Sequence, residues 1–130
     1  MKRIVLSVLA VFVAWSALDF ILHGVILRQS YEATAPLWRP MSEIKMWVMH
    51  LAVLIASIAF VGVYARFFAR RGLRAGAEYG AWFGLGAGVS MGYGTYAVMP
   101  IPYVMALAWF LGTLVHAMVG GMLIGAILRK

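Results

Sequence analysis

Cysteine is absent from the 130-residue sequence, which excludes disulfides, thiolate metal ligation, a dithiol relay and covalent c-type haem attachment, whatever the compartment. Charge is almost as scarce: 12% of the residues carry one, against about a quarter in an average soluble domain. With 65% of residues hydrophobic, too little polar surface remains to cover a water-soluble monomer. The chain also lacks a phosphate loop, a Gly-x-Ser-x-Gly elbow and a His-Glu-x-x-His pair, so no standard nucleotide-binding or hydrolase motif is present.

What is present is apolar length. Runs at 4–27, 46–65, 79–99 and 104–128 each suffice to cross a hydrocarbon core about 30 Å thick at a helical rise of about 1.5 Å per residue. They predict a single all-α domain over residues 1–130, a transmembrane antiparallel four-helix bundle. About 40 residues are left for ends and connections, too few for a separate catalytic domain. The first run opens on Lys2 and Arg3 like a signal peptide, but it continues through Phe20, Ile21, Leu22, Val25 and Leu27, past any cleavage point, and so reads as a span.

A net charge of +7 and a pI near 10.3 would point to nucleic acid in a soluble chain. Here the placement of the positive charges matters more than their sum, and no nucleic-acid partner is expected. Lys2, Arg3, Arg66, Arg70, Arg71, Arg74, Arg129 and Lys130 fall on one side of the four spans, with Arg28, Arg39 and Lys45 on the other. The positive-inside rule makes the first side cytoplasmic, with both termini, as an even number of spans requires. The cluster at 66–74 needs no partner beyond anionic headgroups of the lipid bilayer.

The connections differ in length. The stretch 99–103 carries Pro100 and Pro102, which end one helix and suit the first turn of the next, so spans three and four should form a tight antiparallel hairpin. The longer connection, 28–45, mixes Tyr31, Pro36, Trp38, Arg39 and Pro40, residues suited to the headgroup level, and is expected to cap the bundle. Within it Ser42 is a candidate N-cap for span two, and Glu43 suits a helix start.

Span three repeats glycine every fourth residue, at Gly72, Gly76, Gly80, Gly84, Gly88 and Gly92. In lipid, apolar burial gives helices little reason to associate, and such a face allows close backbone approach. Gly112, Gly120, Gly121 and Gly125 on span four offer the partner surface. Packing within the hairpin is the main expectation, and a homodimer through the same ridge is the alternative.

Asp19 most needs an explanation, because an acid near a helix centre costs about 2.5 to 3.5 kcal/mol on insertion scales. His23 lies one turn toward the outer side and Ser16 one turn toward the inner side, on one stripe. Counted at about 1.5 Å per residue from the outer boundary, His23 and His50 lie about 6 Å deep, Asp19 about 12 Å and His116 about 18 Å. Span two presents Glu43, His50 and Ser57 on one stripe. Span four presents Trp109, Thr113, His116 and Gly120, and span three adds Ser90, Tyr93 or Tyr96. The predicted centre is therefore an outward-opening cavity with Asp19, His23, His50 and His116 at its heart and Glu43 and Tyr96 as further binding groups.

Three chemistries suit that centre. The plainest is hydrogen bonding between helices, at about 0.6 kcal/mol per bond on average. A transition metal is the second: His23, His50 and His116 with one carboxylate suit Zn, Cu or non-haem Fe. Met41, Met46, Met49, Met99 and Met105 lie toward the outer side, where they could guide soft Cu(I). Proton-coupled transport is the third, since a lone membrane carboxyl can exchange a proton for a cationic solute. Small multidrug transporters are similar in length, span number and one acid in the first span. Their glutamate is an aspartate here, and the charge bias fixes one orientation, so the likeness carries over no residues.

The run at 18–24 (Leu-Asp-Phe-Ile-Leu-His-Gly), Tyr31 followed by Leu37-Trp38-Arg39-Pro40, Lys45-Met46-Trp47, and Tyr96 followed by Pro100-Ile101-Pro102-Tyr103 together resemble a group of small uncharacterised four-span bacterial inner-membrane proteins. The resemblance covers nearly the whole chain. It implies a bacterial inner-membrane location and brings no activity. The function expected from the residues is metal or small-solute binding and transport, with a non-catalytic accessory or assembly subunit of a larger membrane complex as the alternative. An enzyme is disfavoured, because no nucleophile and base can be paired.

Overall fold

The computed structural model describes residues 1–69 and 71–129; Arg70 and Lys130, two of the charges assigned above to the cytoplasmic side, lie outside the described residues. Those described are all-helical, with no strand among them. Helix α1 (Lys2–Asp19) continues into a π-helical segment (Phe20–Ile26). The short α2 (Arg28–Ala33) and two 3₁₀ turns, Ala35–Leu37 and Met41–Glu43, follow. Three long helices complete the chain: α3 (Met46–Phe67), α4 (Leu73–Val98) and α5 (Tyr103–Ile127).

Three helical stretches are long and apolar enough to cross a membrane: Lys2–Ile26, Met46–Phe67 and Tyr103–Ile127, with mean hydropathies of 2.3, 2.2 and 1.9. The third predicted run forms a helix, α4, that falls short of that measure. Its Gly, Ser, Thr and Tyr residues supply little transfer free energy, and Arg74 and Glu78 occupy its first turns. It starts six residues before the predicted boundary, after Gly72, whose φ of +111° is a conformation that favours glycine. Helix α3 starts at Met46, the expected boundary, but Ser42 is not its N-cap. The chain is extended at Ile44, Lys45 is the N-cap, and the serine sits inside the second 3₁₀ turn.

Helix α5 is the hub, packed against α4 on one side and α1 on the other, and α1 in turn contacts α3. The α4–α5 seam is backbone against backbone. A Cβ on Gly76 would run into the carbonyl of Gly121, one on Gly80 into the carbonyl of Ala117, and one on Gly92 into the carbonyl of Ala106. At Gly84 it would lie 2.8 Å from Leu114 Cα, and at Gly88 2.8 Å from the Phe110 carbonyl oxygen. These pairs run antiparallel, and Ile101, nearly buried after Pro100, anchors the turn. Gly86 and Gly94, off this ridge, meet nothing within 4 Å.

Helices α3 and α4 are joined mainly through rings. Phe60 contacts Trp15, Tyr79 and Phe83 at centroid distances of 5.1, 4.5 and 5.0 Å, and the Tyr79 hydroxyl donates to the Phe60 carbonyl at 2.9 Å. Tyr64 and Phe68 stack at 5.4 Å. This aromatic layer fills the half of the molecule nearer the termini. There Arg71 caps α3 by donating to the carbonyls of Tyr64 and Ala65, at 3.1 and 2.8 Å, while its guanidinium lies over the Tyr64 ring. The two chain ends meet where Arg3 donates to the Arg129 carbonyl at 3.1 Å. At the other end Leu27, 2% exposed, plugs a second apolar cluster with Ile101, Met105, Ala106 and Trp109.

Candidate functional site

The α1–α5 seam carries the polar residues. It is held apart by side chains: Leu22 covers Gly112, and Trp15 lies against Gly120, where a Cβ would come within 2.8 Å of the indole nitrogen. Between these two contacts Asp19 faces His116, with Oδ1 to Nε2 at 2.9 Å. The depth count placed His116 one turn deeper than Asp19. The pair still meets, because side chains lean toward the N-terminus of their own helix and these two helices run in opposite directions. The imidazole is 13% exposed and the carboxylate 36%.

The bonding of His116 fixes its protons. Its Nδ1 lies 2.6 Å from the Gly112 carbonyl oxygen, which can only accept, so Nδ1 carries a hydrogen. Two states then satisfy the contact with Asp19. Either the carboxylate accepts from an imidazolium, or a carboxylic acid donates to the bare Nε2 of a neutral ring. Both contain the same number of protons. In either state a single hydrogen lies between Oδ1 and Nε2.

His23, 38% exposed, has Nε2 4.0 Å from Asp19 Oδ1 and Nδ1 2.6 Å from the hydroxyl of Tyr31 on α2. Trp109 on α5 donates its indole N–H to that hydroxyl at 3.1 Å. The oxygen therefore accepts from Trp109 and has its own hydrogen free for His23 Nδ1. Burial raises the pKa of Tyr31; the Trp109 hydrogen bond opposes that rise and the Asp19 charge adds to it. Over this group sits Trp38, edge-on to Tyr31 at 5.3 Å and to Trp109 at 6.0 Å, its N–H donating to Thr34 Oγ1 at 2.8 Å. The connection 28–45 thus supplies both a hydrogen-bonding group and a cover.

The π-helical segment begins immediately after Asp19 and contains His23. Its register is carried through Leu27, whose N–H reaches the Leu22 carbonyl five residues back at 2.9 Å. One extra residue per turn is accommodated there, which brings Leu27 into its cluster and leaves His23 facing Tyr31. Such segments are rare and concentrate at functional sites. Below Asp19 the surroundings turn apolar. Trp15 Nε1 donates to the backbone carbonyl of His116 at 2.6 Å, while Val11, Phe60 and Ile124 are almost fully buried. Ser16 Oγ is buried with no partner among the described residues, unlike Ser7 and Ser57, which each donate to the carbonyl four residues back at 2.8 Å.

His50 does not join the centre. It is exposed on the first turns of α3, its Nδ1 donating to the Met46 carbonyl at 2.7 Å. Residues 46–52 of α3 are all exposed, because α3 buries itself through Ser57, Phe60, Val61 and Tyr64, further along. The expected three-histidine metal site is corrected accordingly: among the described residues no group of three His, Cys, Asp or Glu is placed to hold a metal ion. Glu43 is exposed in its 3₁₀ turn. Tyr96 packs edge-on to Tyr103 at 5.9 Å, beside the Tyr93–Tyr103 hydroxyl pair at 3.0 Å. Of the six ligand-binding candidates, the structure joins Asp19, His23 and His116, and it adds Tyr31, which sequence reasoning assigned to the connection, and Trp109, which it placed on the span-four stripe beside the predicted centre. An open depression of about 540 Å³ lined by Arg71, Arg74, Ala75 and Glu78 belongs to the terminal end and shares no residue with the centre. No family model, curated protein or solved structure matches the chain.

Proposed function

We propose that the chain is a bacterial inner-membrane protein, a transmembrane antiparallel four-helix bundle with cytoplasmic termini, and that its Asp19–His116–His23 centre binds a proton and exchanges it for a small cationic solute. The observation that carries this reading is the 2.9 Å contact between Asp19 and a His116 whose other nitrogen is committed to a backbone carbonyl. A carboxyl at this depth can be kept neutral by its shared proton, and a cation that displaces the proton meets the carboxylate. The four-span reading is supported by α4 lying against α5 along its whole glycine ridge, which lets a less apolar helix share the depth of its neighbour. Orientation is supported by Lys2, Arg3, Arg66, Arg71, Arg74 and Arg129, all at the end where the termini meet.

The experiment is uptake into proteoliposomes under an imposed pH gradient, with a panel of small primary and quaternary amines. Accumulation that depends on the gradient and vanishes in Asp19→Asn is expected. Absence of both gradient-driven uptake and amine-induced proton release would discard the reading. An accessory or assembly subunit of a larger membrane complex is the second reading. It is favoured by the exposed aromatic and methionine side chains outside the bundle, Trp47 at 69%, Trp82 at 71% and Met91 at 58% among them, with homodimerisation as one form of such assembly.

A further inference from the structure

The polar groups around Asp19 are unevenly distributed. On the side of the 28–45 connection polar groups lead away from the carboxylate: His23 Nε2 at 4.0 Å, then a hydrogen-bonded run from His23 Nδ1 to Tyr31 Oη at 2.6 Å and from Tyr31 Oη to Trp109 Nε1 at 3.1 Å. Toward the termini the series stops. Trp15, Phe60, Val11 and Ile124 line that side; Ser16 Oγ beside them has no hydrogen-bond partner among the described residues, and the Tyr79 and Ser57 hydroxyls further on are committed to the backbone carbonyls of Phe60 and Val53. Among the described residues the titratable groups in contact with the centre are Asp19 on α1, His23 on the π-helical segment, Tyr31 on α2 and His116 on α5; α3 turns His50 back onto its own backbone.

We infer that Tyr31 is a positioning residue that holds His23 in the tautomer with its hydrogen on Nε2, facing Asp19, and that the centre exchanges protons through His23 from the connection side alone. Trp109 sets the direction. Its N–H occupies an acceptor site on the Tyr31 oxygen, so the Tyr31 hydrogen goes to Nδ1 and the ring proton to Nε2. The 4.0 Å gap to Asp19 is closed by a small rotation of the ring or by one bridging water. In the inward step the Nε2 proton passes to the Asp19 carboxylate and Nδ1 takes the Tyr31 proton. The Tyr31 oxygen is then reprotonated by water on the connection side, so one proton enters and none is lost. The ring resets through an imidazolium: Nε2 takes a proton from water on the connection side and Nδ1 then returns its own proton to that water by way of Tyr31, so the reset adds and removes one proton and leaves the Asp19 proton in place. This inference rests on the proposed proton-binding role of Asp19 and His116.

Nitrogen-15 NMR of histidine-labelled protein in bilayers tests it directly. In the wild type at a pH where His23 is neutral, the hydrogen is expected on Nε2, while His116 carries one on Nδ1. Tyr31→Phe is expected to move the His23 hydrogen to Nδ1 or to a mixture, with His116 unchanged. Trp109→Phe provides a second route to the same shift if the first variant folds poorly. A wild-type His23 already protonated on Nδ1, or tautomers unmoved in the variants, would overturn the assignment. Sidedness is read from carbodiimide labelling of Asp19, which requires the protonated acid, in sealed membrane vesicles of the two orientations. Labelling should follow the pH on the connection side only, and labelling that follows the terminal side would overturn the one-sided path. Loss of amine transport with both results intact would sink the proposed solute exchange and leave this path standing.

Discussion

The two seams of α5 are built on opposite principles. Against α4, side chains are missing: glycines at every fourth position let carbonyls and Cα atoms of the two helices touch. Against α1, side chains fill the space, with Leu22 and Trp15 as spacers and Asp19 and His116 between them. In lipid, close packing rather than apolar burial drives association, so the glycine seam provides cohesion. The spaced seam provides room. A polar centre needs a gap wide enough for an imidazole, and only a rigidly held partner helix keeps such a gap from collapsing.

The comparison breaks hardest at the glycines. Gly84→Leu and Gly88→Leu insert a side chain into α5 backbone and are each expected to destabilise the fold by about 3 kcal/mol, read from thermal unfolding in detergent. Gly86→Ala and Gly94→Ala, on the same helix but facing nothing within 4 Å, should instead gain about 0.5 to 1 kcal/mol by restricting the unfolded chain. Equal losses at all four positions would show that the ridge has no special role.

The polar seam should prove less costly to break. A double-mutant cycle on Asp19→Asn and His116→Ala is expected to give a coupling of about 0.6 to 1.7 kcal/mol, the range for hydrogen bonds within membranes. A coupling near zero would mean that the two groups do not share a proton in the folded protein. Tyr31 sharpens the contrast through pH. Its pKa is raised by burial, so neutral Tyr31 contributes stability fully below the unfolded value near 10, and this is lost as pH rises through the folded value. Trp38 fluorescence should therefore report release of the connection at strongly alkaline pH in the wild type and no such step in Tyr31→Phe. The smallest effect belongs to Arg28→Ala, which removes an exposed pair with Glu32 at 3.1 Å and should leave the melting temperature unchanged.

Much of this organisation can be read from residue spacing. The i, i+4 recurrence of glycine from Gly72 to Gly92 predicts a face; of the four glycines expected to meet it, Gly121 and Gly125 do, whereas Gly112 and Gly120 lie against Leu22 and Trp15 instead. Asp19 and His116 announce themselves by being costly where they stand. His50 misleads because depth alone says nothing about the rotation of a helix about its axis. That rotation is set by Ser57, Phe60, Val61 and Tyr64 further along α3. Tyr31 escapes notice because a tyrosine in a connection is usually an interfacial anchor, and only the fold of 28–45 over the bundle turns it toward His23. The π-helical turn after Asp19 has no marker in the spacing, since its cause is tertiary: Leu27 must reach a cluster formed by α5.

Leu27 also has a mechanical consequence. The bundle's first helix and its π-helical extension are held at one end by this buried side chain and at the other by an exposed hydrogen bond from Arg3 to the backbone of Arg129, while α4 and α5 pack backbone to backbone. A displacement of Asp19 relative to His116 would therefore fall on the stretch between these ends, and the π-helical turn beside Asp19 is the section of that shaft best able to yield.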